Sequence, residues 1–351
     1  MKGMMQAGST RGFTLIELMV AVAAFGIMSL AGFAVLSTGQ RTAVSNDQTV
    51  QIQQNVRLAM DLIARDVRMA SFGNTLAGSF PGGLCANSIN TGDNQVGEDV
   101  LPDTISVITV FQQLGTLTVP FTALNVITVS APGLAVNDVI SLEGTFTATV
   151  NAVGVGPTPA VTLSQPVVAP TNYAIGTAVV QIKCITYSVS GPAATPPYQL
   201  LRNNGSGAVA VVDGIESLQI AYALDTDNDG TIDDQPGGIA GIPDCKDFVP
   251  NDSGNNNACG PPVAGGVSLA AGTAAFTAAN ATPSAIRQVR LTVVGRAIPP
   301  AAANFPGNTW RDATFTGQSL VQAEDQRILS TAGIRRRALT RMVTLRNGSN
   351  L

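Results

Sequence analysis

The chain opens with an abrupt switch from polar to apolar. Residues 1–12 are polar and carry Lys2 and Arg11, whereas Phe13 to Leu36 form an apolar run of 24 residues with one charge, Glu17. A helix of that length, at about 1.5 Å per residue, spans roughly 36 Å and is long enough to cross a bilayer. Basic residues ahead of the run predict a cytoplasmic N-terminus and an exported remainder. A secretory signal peptide would have a shorter apolar core ending at a small-residue cleavage site. Here the run passes straight into a helical pattern. Val56, Met60, Ile63 and Val67 recur at helical spacing and mark one apolar face. Arg57–Asp61 and Asp61–Arg65 are i,i+4 opposite charges on another face. Gly39 sits at the join, and Gly73 with Asn74 in SFGNT predict the stop. The pattern predicts a membrane helix over 13–36 and an amphipathic continuation over 37–73 that packs on a globular domain.

From about residue 100 the period falls to two and β-branched residues take over. TISVITVF (104–111), LNVITVS (124–130), DVISLEG (138–144), TFTATVNAV (145–153) and AVTLS (160–164) read as short strands between Gly, Pro and Asn turns. Their even spacing predicts a small antiparallel barrel or sandwich, a β-rich subdomain inserted over about 100–175. Longer strands follow in AVVQIKCITYSVS (178–190), YQLLRN (198–203), VVDGIESLQIAYAL (211–224), IRQVRLTVVGRA (286–297) and RRRALTRMVTLRN (335–347). The last four are expected to form the sheet that the helix crosses, giving an α+β head over 74–351. Residues 235–285, rich in Gly, Asn, Pro and Ala, read as a long loop.

Composition narrows the chemistry. The 351 residues contain no histidine, which removes Ser-His-Asp and Cys-His catalysis and His-ligated zinc. A net charge of −4 argues against binding nucleic acid by phosphate neutralisation. The chain has three lysines and no GxxxxGK[ST], so no nucleotide loop is present. No enzymatic frame emerges. Cys85, Cys184, Cys245 and Cys259 form no CxxC pair, and their even count fits two disulfides in an oxidising compartment. Three pairings are open. Cys245 with Cys259 closes the shortest loop, which would leave Cys85 with Cys184.

Glu17 is the sharpest residue in the N-terminal run. A carboxylate within a membrane span is expensive and needs a partner, yet no Lys or Arg lies within the apolar stretch. If the chain were cut between Gly12 and Phe13, the new α-amino group of a neighbouring copy would supply a positive charge at matching depth. That ion pair would offset both desolvation costs and fix the register of helix packing.

RGFTLIELMVAVAAFGIM resembles the class III signal of type IV prepilins and pseudopilins. The resemblance implies a membrane prepilin peptidase that cuts after Gly12 and N-methylates Phe13, with Glu17 as the assembly glutamate. DLIARDVRMASFG, DGIESLQIAYALDTDNDG and RRRALTRMVTLRN further resemble PilW-type minor pilins. That likeness implies an inner-membrane, single-pass precursor, later a pilus component at the cell surface, working with other minor and major pilins and a tip adhesin in filament initiation. The alternatives are a minor pseudopilin of a type II secretion system and a membrane-anchored, calcium-dependent binding protein that never polymerises.

DTDNDGTIDD (225–234) carries acids at alternate positions, Asp225, Asp227 and Asp229, followed by Gly230 and Asp233. This is the spacing of an EF-hand-like Ca²⁺ loop, in which Thr231 supplies its carbonyl and Gly230 permits the sharp turn. Ile232 is expected to anchor the turn in the head. Position 12 is Pro236, so the bidentate glutamate is missing and Asp234 or Asp244 would have to substitute. Oxygen-only ligands favour Ca²⁺ at modest affinity over a transition metal. The competing reading is a solvated acidic turn. The basic run Arg335–Arg337, with Arg341 and Arg346, reads as a solvated edge strand guarded against aggregation, and Trp310 as a partly buried anchor.

Overall fold

The computed structural model describes residues 14–70, 80, 85, 89–92, 102–121, 125–130, 133–166, 172–190, 198–225, 227, 229–233, 248–250, 286–297, 321–323, 326–328 and 336–345. Among these residues one helix, α1 (Leu15–Arg68), precedes fifteen strands: β1 (Ile89–Gly92), β2 (Thr104–Thr116), β3 (Val126–Thr128), β4 (Val139–Leu142), β5 (Phe146–Val153), β6 (Ala160–Leu163), β7 (Ala178–Val189), β8 (Gln199–Asn203), β9 (Ala208–Asp213), β10 (Ile215–Leu224), β11 (Phe248–Pro250), β12 (Ile286–Arg296), β13 (Val321–Ala323), β14 (Gln326–Ile328) and β15 (Arg336–Thr344). The architecture is α+β with antiparallel sheets. The chain divides into two units, residues 1–50 and 51–351.

The first unit contributes only helix among its described residues. Every side chain from Leu15 to Leu36 is exposed. A helix satisfies its own backbone, so such a surface suits lipid or other helices better than water. Gly26, Gly32 and Gly39 lie in unbroken helix, and Gly39 does not interrupt it.

In the second unit, residues 51–68 of α1 meet the sheets through the predicted face: Val56, Met60, Ile63 and Val67 are all buried. The helix ends at Arg68, short of the predicted 73. The amides of Met69 and Ala70 bond back to Asp66 and Val67 at 3.2 and 3.0 Å, tightening the final turn. The predicted i,i+4 charge pairs are replaced by others. Asp61 accepts from Arg341 at 2.7 Å, and Arg65 turns to Asp66 at 3.4 Å.

One sheet has the order β11–β10–β12–β15. All ten residues of β10 are buried. Its Leu218, Ile220, Tyr222 and Leu224 join Val289, Leu291 and Val293 of β12 in the core beneath the helix. The predicted strand 211–224 is divided at Gly214, whose φ of 73° turns the chain between β9 and β10. YQLLRN, expected in this sheet, lies elsewhere. As β8 it pairs β7 and β9, because the Asn203 side chain accepts the amides of Gly205 and Gly207 and closes a β8–β9 hairpin.

The larger sheet has the order β1–β2–β7–β4–β5–β6–β3. A bridge from Leu117 to Val129 returns the end of β3 to the end of β2, so six of these strands close into a small barrel, the first of the two forms expected, with β7 joining from beyond the 100–175 stretch. Fourteen buried apolar residues fill it, with Phe121, Phe146 and Tyr173 in mutual ring contact. The barrel and the layer under the helix share strands. β2 and β7 pair along almost their whole length, from Ile105↔Tyr187 to Thr116↔Ala178. One half of β7 then pairs β4 and the other half pairs β8.

Candidate functional site

At the N-terminus Thr14 and Glu17 satisfy each other. The Thr14 amide and hydroxyl both donate to Glu17 Oε2 at 3.0 Å, and the Glu17 amide donates to Thr14 Oγ1 at 3.3 Å. This is a capping box, in which two otherwise orphaned helix amides and one carboxylate are paired reciprocally. Glu17 therefore has a hydrogen-bonding partner within its own chain, three residues away. The signal was present in the sequence as Thr14-x-x-Glu17 ahead of an apolar run. Gly12 and Phe13 lie outside the described residues. The helix that follows is long and apolar enough to cross a membrane.

The second candidate is the turn after β10. Asp225 closes the strand, and the chain then coils on its own carboxylates. The Asp229 amide donates to Asp225 Oδ1 at 3.1 Å and the Gly230 amide to Asp225 Oδ2 at 3.0 Å. The Thr231 amide and hydroxyl donate to Asp229 Oδ1 at 2.7 and 2.6 Å. Gly230 has a φ of 91°, the conformation for which the sequence needed glycine. One carboxylate oxygen from each of Asp225, Asp227 and Asp229 lies within 4.8 Å of the others. Asp233 is not part of that convergence; its amide donates to the Leu224 carbonyl at 2.8 Å and ties the turn to the strand end. Asp234 and Asp244 lie outside the described residues. Ile232 packs against Ala221, Ala223 and Phe248, as an anchor for the turn.

Asp225 has a further partner that the local spacing does not contain. Arg287, at the start of β12, donates from Nε at 2.7 Å and lies 2.5 Å away at NH2, both to Asp225 Oδ2. Burial alone would raise the Asp225 carboxyl. The Arg287 guanidinium and the Gly230 amide outweigh it and hold the group below the usual carboxylate range. Three converging carboxylates offer hard oxygen donors to a cation. The innermost of them already faces a positive charge, and Asp227 and Asp229 are exposed.

Two buried ion clusters fix the head. Asp66 at the end of α1 accepts from Tyr187 Oη at 2.7 Å and Arg202 NH2 at 3.1 Å, joining the helix to β7 and β8. Burial, with the Asp66 charge and hydrogen bond behind it, pushes the Tyr187 phenol far above its ordinary range. Glu216 in β10 accepts from Arg336 Nε and NH2 at 2.5 and 2.9 Å, and from Arg296 NH1 at 3.3 Å. Arg336 is therefore buried in an ion pair, a correction to the solvated basic edge expected for 335–337. Arg337 remains exposed, while Arg335, Arg346 and Trp310 lie outside the described residues. A disulfide joins Cys85 to Cys184 across 99 residues. Cys85 packs with Phe80 on the outer face of the barrel strands beside Ile108, Val139 and Ile182. Cys245 and Cys259 lie outside the described residues.

Residues 8–33 match the model of the prokaryotic N-terminal methylation motif. No curated protein and no solved structure matches the chain. The motif identifies a type IV prepilin-like N-terminus, which implies processing by prepilin peptidase and association with other pilin-type subunits, and points to a structural role. The apolar helix is consistent with anchoring in the inner membrane.

Proposed function

We propose that this chain is a minor pilin of a type IV pilus that takes part in starting the filament, in a tip complex with other minor pilins. The observation that carries the reading is the methylation motif at 8–33 continuing into a helix whose side chains from Leu15 to Leu36 are all exposed. Cleavage after Gly12 frees the Phe13 amine, and in the filament the amine of one copy meets Glu17 of the next. Until then the Thr14 capping box keeps Glu17 hydrogen-bonded within the membrane. Assembly thus exchanges a local partner for an intersubunit one, and the exchange costs less than burying a bare carboxylate. A large head with an inserted barrel favours a single tip position over regular repetition along a fibre.

The test is Glu17→Ala in the full chain, with mass spectrometry of the N-terminus and recovery of the chain in sheared filaments. The expected result is normal cleavage, a methylated Phe13 and loss of the chain from filaments. A chain that keeps residues 1–12, or a Glu17→Ala variant that assembles as well as the parent, overturns the reading. Recovery only in cells secreting protein through a type II system would move the assignment to a pseudopilin.

We also propose that the aspartate turn takes Ca²⁺ at modest affinity through Asp227, Asp229 and Asp225. The support is the approach of three carboxylates to within 4.8 Å around Gly230. Arg287 competes for Asp225, so affinity falls in the range suited to extracellular calcium, on the order of 10⁻⁴–10⁻³ M. Calorimetry of the full chain with Ca²⁺ checks it. No heat and no thermal stabilisation would leave an acidic turn held by Arg287.

A further inference from the structure

Strand β9 ends its layer. It pairs β8 on one side and no described strand on the other. Ala208, Val209 and Ala210 are exposed, Val209 at 63%. Edge strands are ordinarily guarded by charge, proline or a bulge. Here Ala208–Val212 contains neither a charge nor a proline; a bulge at Val211, opposite Leu200 and Leu201, leaves Ala208–Ala210 in regular register with β8. Along the outward edge, the Asp213 carbonyl accepts from Asn55 Nδ2 at 3.0 Å, and this is the one described partner. Main-chain donors and acceptors in a row specify their own complement, an extended strand.

The edge also has an apolar cover. Tyr187 pairs directly with Arg202, and Arg202 with Val209, so the three share a face. Arg202 reaches Asp66 of α1, which makes that face the helix side. Along the helix, Leu58 is 51% exposed and lies three positions from Asn55 and four from Leu62, on the flank bordering this layer. Val209 and Leu58 therefore stand exposed on the same side of an edge that has no neighbouring strand among the described residues.

We propose that β9 accepts a strand from a different subunit of the same assembly: an extended, uncharged segment with β-branched or other apolar side chains on its helix-facing side. Pairing satisfies the outward backbone of β9, and the incoming apolar side chains cover Val209 and Leu58. A second copy of this chain is the wrong occupant. Antiparallel pairing of a strand with itself runs through a two-fold axis perpendicular to the sheet and reverses the direction of the helix packed on it. Subunits inserted N-terminus first in one membrane keep a common direction. The inference rests on the assembly reading above.

The test is amide hydrogen exchange over β9, comparing the full chain in detergent micelles with the same chain in sheared filaments. The expected result is β9 amides at least about tenfold slower in filaments, since paired edges exchange only by opening. Filaments that contain the chain but leave β9 exchanging at the micellar rate overturn the strand-acceptor role and leave the filament reading standing. Absence of the chain from filaments built of other pilins overturns the filament reading, and this inference with it. A photo-crosslinker at position 209 that joins two copies of this chain overturns the choice of partner. Val209→Lys is expected to melt with the parent yet enter filaments several-fold less; unchanged entry overturns the proposal.

Discussion

Gly295 fixes how closely the helix lies on the sheet, and that spacing can be tested directly. It sits in β12 opposite Ile215 of β10 and Arg337 of β15. A methyl group at this position would overlap Val56 Cγ2, lie 3.1 Å from Ile52 Cγ2 and 3.4 Å from the Gly214 carbonyl. Val56 and Ile52 are buried at 2% and 3% exposure and have nowhere to swing. Gly295→Ala therefore forces the helix off the sheet or a rotamer out of its well, at about 1–3 kcal/mol. Replacing a strand glycine returns roughly 0.5–1 kcal/mol of backbone entropy. The net loss, at the middle of these ranges, is about 1 kcal/mol, a few degrees in melting temperature for a unit of this size. Val56→Ala alone loses roughly 2 kcal/mol by cavity formation. The double variant removes the clashing methyl and is expected to be more stable than the sum of the singles by about 1 kcal/mol. Thermal melts of the full chain in micelles measure all four corners. A Gly295→Ala protein that melts at or above the parent, or a double variant that is merely additive, would refute the close-approach argument.

Three further outcomes follow from the same core. Cys85→Ser with Cys184→Ser is expected to lose about 2–5 kcal/mol, because the bridge closes a long loop and Cys85 anchors the segment over the barrel; an unchanged denaturation midpoint counts against it. Tyr187 has a raised folded pKa, so its contribution is full below the unfolded value of about 10 and is lost as pH rises beyond it; Tyr187→Phe should flatten the alkaline limb of stability against pH. Asp225 has a lowered folded pKa, so its contribution is present above the unfolded value of about 4 and is lost as pH falls below it; Asp225→Asn should flatten the acid limb, while an acid limb identical to the parent's would discount the Arg287 pair.

Much of the fold was legible because local pattern and tertiary role agree. Alternation marked the barrel strands, and the helical spacing of Val56, Met60, Ile63 and Val67 named the buried face correctly. Pairing was harder to read. The sequence NNGSG between β8 and β9 and the Asp213–Gly214 step carry turn chemistry, and reading them as a hairpin and a break would have moved YQLLRN into its proper layer. The Thr14-x-x-Glu17 capping box was also visible but hidden behind the expectation of a partner from another chain. The ionic partners were not readable by any local rule. Arg287 is 62 residues from Asp225, Arg202 is 136 from Asp66 and Arg336 is 120 from Glu216. Such separations are set by sheet order, which no spacing encodes.

The strands shared between barrel and helix layer have a mechanical consequence. β2 and β7 run through both parts, hydrogen-bonded to each other almost throughout. A load applied to the barrel along these strands pulls the ladder in shear, so its rungs must fail together instead of unzipping singly. Cys85–Cys184 bolts the same strand to the segment that follows the helix. A head built this way passes tension from its barrel to the layer under residues 51–68 of α1 rather than stretching between them.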